Sequence, residues 1–123
     1  MADWRDLTEE DGFDRLARTY DIIAGVCSML PLPINLISGE GAKVGDVIDG
    51  IADVCRIVKE TPIPGHVEAA IFSSCTYWLA AMEIFAAFRA RPIDYRANAF
   101  AMLILDSELS IEPAIAWLAE DGR

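Results

Sequence analysis

The sequence contains a single histidine, His66, and lacks the short motifs that accompany common catalytic centres. One histidine between Gly65 and Val67 cannot supply the His/Cys or His/Asp spacing of a metal site. Ser73 and Ser74 do not lie in the G-x-S-x-G elbow that exposes a nucleophilic serine. These absences predict a protein that is not an enzyme and that has no catalytic residue, no metal ligand and no cofactor.

Positive charge is also scarce, because ten Lys and Arg stand against twenty Asp and Glu and give a formal net charge of −10. A chain this acidic repels phosphate backbones, so we expect no direct binding to nucleic acid. At the same time 54% of the residues are hydrophobic and the mean hydropathy is +0.30, above ordinary globular usage. In a chain of 123 residues this apolar excess predicts a surface that is buried in an oligomer or a complex.

The sequence has three cysteines, Cys27, Cys55 and Cys75, which is an odd number, and no two of them have CxxC spacing. Each lies among apolar residues of a helical pattern, so we expect three reduced, buried, small side chains rather than disulfides or redox sites. The first seven residues, MADWRDL, include two Asp and no apolar run, unlike a secretory signal or a transit peptide. Together these features predict a cytoplasmic protein.

Two polar segments invite a ligand interpretation. The glycine-rich stretch SGEGAKVGD meets neither the dinucleotide nor the phosphate-loop fingerprint, so we expect a turn that leads into a helix. Asp46, Asp49 and Asp53 share one helix face and could hold a divalent cation. The alternative is that these three carboxylates form an exposed acidic stripe without a bound ion, in which Arg56, three residues after Asp53, balances part of the negative charge.

Apolar residues recur at three- and four-residue steps in five segments, and no alternating strand pattern is visible, so the predicted fold class is all-α. The first predicted helix follows Thr8, with its apolar stripe starting at Phe13. The others begin near Val44, Gly65, Asp94 and either Ser110 or Pro113, and the third runs to about Arg91. Thr8 and Asp11 resemble a capping box before the first helix, and Pro31 ends it. We predict one domain over residues 1–123, a compact and dimeric bundle of about five helices around a long central third helix.

The third helix contains the most apolar stretch of the chain, AAIFSSCTYWLAAMEIFAAF, with Glu83 as its one formal charge. About twenty apolar residues can span a membrane. A carboxylate inside hydrocarbon costs about 3 kcal/mol, however, and no Lys or Arg cluster marks a cytoplasmic side. We therefore expect a core helix, whose buried side carries Ile71, Cys75, Tyr77, Trp78, Met82, Ile84, Phe85 and Phe88.

The opposite side of this helix carries small residues at heptad spacing, which we call the seam: Ala69, Ser73, Thr76, Ala80, Glu83 and Ala87. Small side chains let two helix backbones approach closely. The seam is therefore either a solvated face or a close helix contact, such as one across a homodimer.

Two segments of the chain, PINLISGEGAKVGDVIDGIADVCRIVKE and AAIFSSCTYWLAAMEIFAA, resemble a family of small pseudomonad helical proteins with no assigned enzymatic activity. The positions that carry the resemblance are Ile34, Leu36, Gly39, Asp46, Ile48, Ala52, Leu79 and Met82. In length and acidity the chain is also similar to the bacterial quorum-sensing antiactivators. That similarity implies a stoichiometric regulator that occupies a LuxR-type transcription activator, blocks its dimerisation or DNA binding, and touches no DNA itself.

An acidic helical domain without catalytic motifs suits protein contact. We expect the partner to be held by aromatic and aliphatic anchors on the outer part of the first helix and on the terminal helices: Trp4, Leu7, Tyr20 and Trp117. The alternative is an acidic immunity protein, antitoxin or phage-type inhibitor that binds a basic partner. Dependence of binding on salt separates the two.

Overall fold

The computed structural model describes residues 7–38 and 42–120, and in these ranges it contains helices and connections but no strand. The helices are α1 (Glu9–Ser28), α2 (Val44–Ile57), α3 (Gly65–Ala90), α4 (Asp94–Ser110) and α5 (Glu112–Glu120). Only Ile111 separates α4 from α5, so this pair counts as two helices or as one helix with a break. The predicted all-α class is confirmed.

Helix α1 begins where its sequence predicts. The Thr8 hydroxyl accepts a hydrogen bond from the Asp11 backbone N–H at 3.0 Å, and Glu9, Glu10 and Asp11 stand in the first turn. Acidic side chains there favour the positive end of the helix dipole. The cap and the first turn thus fix the start of α1.

The connection after α1 is extended and held to the core, as expected from its two prolines. The Ile34 backbone N–H donates to the Cys27 carbonyl at 2.9 Å, and the Tyr20 hydroxyl donates to the Ile37 carbonyl at 2.7 Å. Ile34 and Leu36 pack against the buried cluster. The connection therefore covers part of the core before α2 begins.

Helix α3 is the centre of the molecule and contacts α1, α2, α4 and α5. The Trp78 ring is buried, and its indole N–H donates to the Leu16 carbonyl of α1 at 3.0 Å. Phe85 is buried between Phe13, at 5.3 Å between ring centroids, and Phe100, at 5.0 Å. The predicted core role of Trp78 and Phe85 is confirmed, whereas Phe88 is only half-buried.

The buried side of α3 nevertheless differs from the predicted one. Tyr77 was expected in the core but is 36% exposed, while Ser74 and Ala81 are completely buried. The reason is α4, which returns antiparallel along α3 and packs on its small residues. Ser74 and Ser107 each donate a hydroxyl hydrogen bond to the other's backbone carbonyl at 2.7 Å.

The start of α4 is also corrected, by one residue. Asp94 was expected to cap the helix, but it is the first helical residue and Ile93 occupies the cap position without a side-chain hydrogen bond. The Arg96 side chain closes the turn instead, since it donates to the carbonyls of Ala87 at 2.9 Å and Arg91 at 3.0 Å.

By length and composition alone α3 could also cross a membrane, with a mean hydropathy of 1.4 over its most apolar window. One third of that window is buried within the molecule. The central helix of a bundle meets the same criterion.

Candidate protein-binding surfaces

The predicted partner anchors do not form one exposed patch. Tyr20 is only 2% exposed, so it belongs to the core, where its hydroxyl holds the connection after α1; its role as an exposed anchor was wrong. Burial also raises the pKa of the Tyr20 phenol. Leu7 and Trp117 are half-buried and pack against the core cluster. Trp4 lies outside the described residues.

The seam on α3 lies partly or wholly at the surface. Ala69, Thr76 and Glu83 are exposed, and Ser73, Ala80 and Ala87 are half-buried. The tight internal crossing is made by Ser74 with Ser107, which are not seam residues. Self-association through the seam stays a prediction.

The outer face of α4 carries large apolar side chains that the sequence analysis did not single out. Tyr95, Met102, Leu105 and Leu109 are 58, 67, 48 and 50% exposed, and Asn98 lies among them, also exposed. We call these five residues the α4 stripe. Their steps of three, four, three and four residues are the heptad spacing with which helices pair, and the stripe is about 21 Å long at 1.5 Å per residue.

The helical spacing of the α4 stripe is visible in the sequence, but a second set of residues on the same helix has the same spacing. Ala97, Phe100, Ala101, Ile104 and Ser107 follow the same helical period and are the buried side. Both runs are apolar, so periodicity alone does not say which of them faces solvent. Packing against α3 selects the run that combines small residues with Phe100 and Ile104.

The edge of the α4 stripe is fixed to α1 by an ion pair. The Arg15 guanidinium donates to both carboxylate oxygens of Glu108, at 2.7 and 3.4 Å, and the two side chains are mostly shielded from solvent. Thr19 of α1 is buried beside them and lies 3.5 Å from the same carboxylate. The geometry holds α4 in place, so the α4 stripe is displayed on a braced helix.

A second apolar feature is a trough between α1, α2 and α3. It consists of two adjoining hollows of about 380 and 450 Å³ that share Phe13, Val44 and Met82 in their walls. At one end, the Arg89 guanidinium lies 4.8 Å from the centroid of the Phe13 ring and pairs with Glu9 at 2.7 Å. Hollows of this size and composition accept one or two bulky apolar groups.

The acidic stripe on α2 lies in solvent. Asp46, Asp49 and Asp53 are exposed, and Asp53 pairs with Arg56 at 3.5 Å, as the spacing predicted. Among residues 7–38 and 42–120, no group of three or more His, Cys, Asp or Glu side chains is placed to hold a metal ion.

The three cysteines are free thiols in different environments. Cys27 is buried in the core, and burial raises the pKa of its thiol to about 12. Cys55 is half-buried on α2, and its pKa is lowered to about 7, chiefly by the Cys75 thiol of α3 as a hydrogen-bond donor. The same bond, followed by burial, strongly raises the pKa of Cys75. The predicted burial of the cysteines is confirmed for Cys27 and Cys75 but was wrong for Cys55, which is half-buried.

Comparison of the chain with known protein families, with characterised proteins and with solved structures finds no match.

Proposed function

We propose that this protein acts without catalysis, as a regulator that binds another protein through the α4 stripe. The observation that carries the proposal is the α4 stripe itself, with four large side chains that are each about half exposed or more. Contiguous apolar surface of this kind marks interaction sites on soluble proteins. The trough can hold one or two side chains, whereas the α4 stripe presents a whole helix face.

The partner that we propose is a bacterial transcription activator of the LuxR type, in the cytoplasm. Heptad spacing suits the α4 stripe to lie along a helix of the partner. If that helix belongs to the activator's own dimer interface, the bound protein replaces one activator subunit and prevents assembly on DNA. The net charge of −10 supports this division of roles, because it disfavours contact between the regulator and DNA.

We propose in addition that the protein is a homodimer paired through the seam. The seam residues are exposed or half-buried, and their small side chains allow close approach of a second α3. In this arrangement the α4 stripe remains available to the partner. Neither surface requires a metal or a cofactor.

The experiment uses a purified LuxR-type activator, its operator DNA and the protein. We expect near-equimolar protein to abolish the activator's DNA binding, and the two proteins to elute together at fixed stoichiometry from a sizing column. Leu105→Asp or Met102→Glu should abolish both effects, because each places a charge in the middle of the α4 stripe. Met29→Glu is the matched control, since Met29 is equally apolar and exposed but lies on the connection after α1.

Three results would overturn the proposal: inhibition at catalytic rather than equimolar amounts, binding of operator DNA by the protein alone at physiological salt, or an equal effect of Met29→Glu and Leu105→Asp. Circular dichroism of each variant verifies that it is folded. Correct folding together with full inhibition by both α4 variants would place the binding surface elsewhere.

A second candidate function is inhibition of a basic protein by the acidic surface. Asp46, Asp49 and Asp53 favour it, because all three are exposed and the nearest cations in sequence, Lys43 and Arg56, offset them only in part. Charge-steered association slows strongly as salt rises, whereas an apolar interface tolerates salt. A complex that is lost between low and high salt, and lost on changing these Asp to Asn, would support this second function.

A further inference from the structure

The trough between α1, α2 and α3 has an apolar floor and an open mouth. Leu16, Trp78 and Phe85 line it and are only 3, 2 and 2% exposed, so they form the floor. Val44 lines both hollows but is 54% exposed, so it stands at the mouth. Along α3 the lining runs from Trp78 to Arg89, a length of about 16 Å at 1.5 Å per residue. The trough is therefore elongated and offers a ligand mainly apolar contact.

The polar groups of the buried aromatic rings in the trough are already used. The Trp78 indole N–H donates to the Leu16 carbonyl at 3.0 Å, and the Tyr20 hydroxyl donates to the Ile37 carbonyl at 2.7 Å. Both rings line the hollow of about 380 Å³. A neutral polar ligand would find both donors occupied, so the rings contribute apolar surface.

The charge in the walls of the trough is unevenly compensated. Among the described wall residues, the charged ones are Asp21, Glu83 and Arg89. Arg89 pairs with Glu9 at 2.7 Å and stacks on the Phe13 ring. In the part of the chain that the structure describes, the side chains of Asp21 and Glu83 form no ion pair or hydrogen bond. The uncompensated charge is therefore negative, the same sign as the net charge of −10.

We propose that the trough is a binding site for a small amphiphilic cation, with an ammonium head and a long aliphatic tail. The head lies at Asp21, which is eight residues, about 12 Å, along α1 from the Phe13 ring on which Arg89 stacks. There a carboxylate attracts the head and the guanidinium is distant. The tail follows the apolar floor past Phe13 and Met82, whose flexible thioether adapts to the shape of the tail.

The size and position of the trough suit this ligand. Its hollows of about 380 and 450 Å³, mostly apolar with a few charged groups, are typical of small-molecule sites. The described wall residues belong to α1, α3 and residues 42–52, so the site is separate from the α4 stripe.

Other occupants match the trough less well. An anionic amphiphile would meet two unpaired carboxylates, and the guanidinium of Arg89 is already paired with Glu9. A helix of a partner protein is about 10–12 Å across with its side chains, so it could insert only single side chains into the hollows.

The test is isothermal titration calorimetry of the folded full-length chain with alkyltrimethylammonium salts, kept below the concentration at which they form micelles. We expect one decyltrimethylammonium ion to bind per chain. Decyl sulfate has the same tail and the opposite charge, and it should bind about tenfold more weakly, because attraction by Asp21 becomes repulsion. Each added methylene should tighten binding about fourfold until the tail fills the trough, and longer tails should gain no more.

Two substitutions locate the site. Asp21→Asn should weaken binding of decyltrimethylammonium by up to about fivefold, the contribution of one exposed ion pair, whereas Asp106→Asn, an exposed carboxylate on α4, should not. Val44→Lys should abolish binding, because it places a positive charge at the mouth of both hollows. Ile115→Lys, at a 43% exposed position on α5, is its matched control.

Four outcomes would overturn the proposal. They are equal or tighter binding of decyl sulfate, affinity that rises with tail length without a plateau, equal effects of Asp21→Asn and Asp106→Asn, and loss of probe binding as protein concentration rises, which would mean that a second copy covers the trough. Circular dichroism verifies folding, and if Val44→Lys does not fold, the comparison of head charges and Asp21→Asn decide. The titration contains no activator, so its failure is distinguishable from failure of the proposed function.

Discussion

Gly12 of α1 and Phe85 of α3 share one space: a β-carbon placed on Gly12 would overlap the Phe85 ring. The ring has little room to turn aside, because Phe13 packs against it edge-on and Phe100 lies close on another side. The missing side chain at Gly12 therefore lets α1 lie directly on α3. Gly12 is a packing residue that the helical pattern of α1 does not reveal.

We expect Gly12→Ala to lower the free energy of unfolding by about 1–3 kcal/mol, since the added methyl overpacks the α1–α3 contact. Gly25→Ala is the matched control on the same helix, where no atom lies within 4 Å of an added β-carbon. That change should raise the free energy of unfolding by about 0.5–1 kcal/mol, because alanine restricts the unfolded chain. Urea unfolding followed by circular dichroism measures both, and a neutral Gly12→Ala would contradict the close approach.

The second prediction concerns the effect on stability of substitutions where α3 and α4 cross. Ser74 is completely buried and hydrogen-bonded to Ser107, so Ser74→Ile both overpacks the crossing and removes a buried hydrogen bond. We expect a loss of about 2–4 kcal/mol, the sum of an overpacking cost of about 1–3 and a hydrogen bond of about 1 kcal/mol. Ser73→Ile, one residue earlier and partly exposed, should change the free energy of unfolding of the monomer by about 0.5 kcal/mol or less. Equal losses in both variants would mean that the helix is rotated from its described position.

The ends of the helices could be predicted from sequence because local chemistry fixes them. Thr8 caps α1 and the prolines after it stop the helix, whatever the rest of the chain does. The orientation of α3 could be predicted only in part, since this helix is apolar on nearly all sides. Trp78 and Phe85 were assigned correctly to the core, but Tyr77 was not, because which sides of such a helix are covered depends on how the other helices pack on it.

The candidate sites depended on information that a single sequence does not contain. Which apolar run of α4 faces solvent is decided by packing on α3, and the surroundings that lower the pKa of Cys55 are decided by the register between α2 and α3. Both are long-range relationships, whereas periodicity reports only on one helix at a time.

Trp78 tests the core assignment. Its ring lies 5.8 Å from that of Tyr20, and its N–H bonds to the Leu16 carbonyl. Trp78→Ala should cost about 3–5 kcal/mol, a large share of the roughly 5–15 kcal/mol that stabilises a typical domain. Trp117→Ala, at a half-buried position, should cost less. Thermal unfolding measures the difference, and an unchanged transition in Trp78→Ala would contradict its burial.

The pKa of Cys55 predicts a pH dependence of its reactivity. Because this pKa is lowered to about 7, the rate of alkylation by iodoacetamide should reach half its plateau near pH 7 and level off above about pH 8. The Cys75 hydrogen bond is the largest cause, so Cys75→Ala should move the midpoint upward toward the ordinary thiol value of about 8.5. Lys59→Gln should move it upward by less. A midpoint near 8.5 in the unchanged chain would contradict the lowered pKa.

The homodimer proposed through the seam predicts that Ala80→Trp separates association from folding. Ala80 is only half-buried within one chain, so we expect the free energy of unfolding of the monomer to change by about 0.5 kcal/mol or less. A bulky ring in a close contact between two α3 helices would instead overpack it by about 1–3 kcal/mol, which weakens dimerisation by roughly 5- to 150-fold. Ala116→Trp, at an exposed position on α5, is the matched control and should leave association unchanged.

Sedimentation equilibrium over a range of concentrations measures the association constant of each chain. If the unchanged chain is a monomer throughout, or if Leu105→Asp dissociates the dimer while Ala80→Trp does not, self-association does not use the seam.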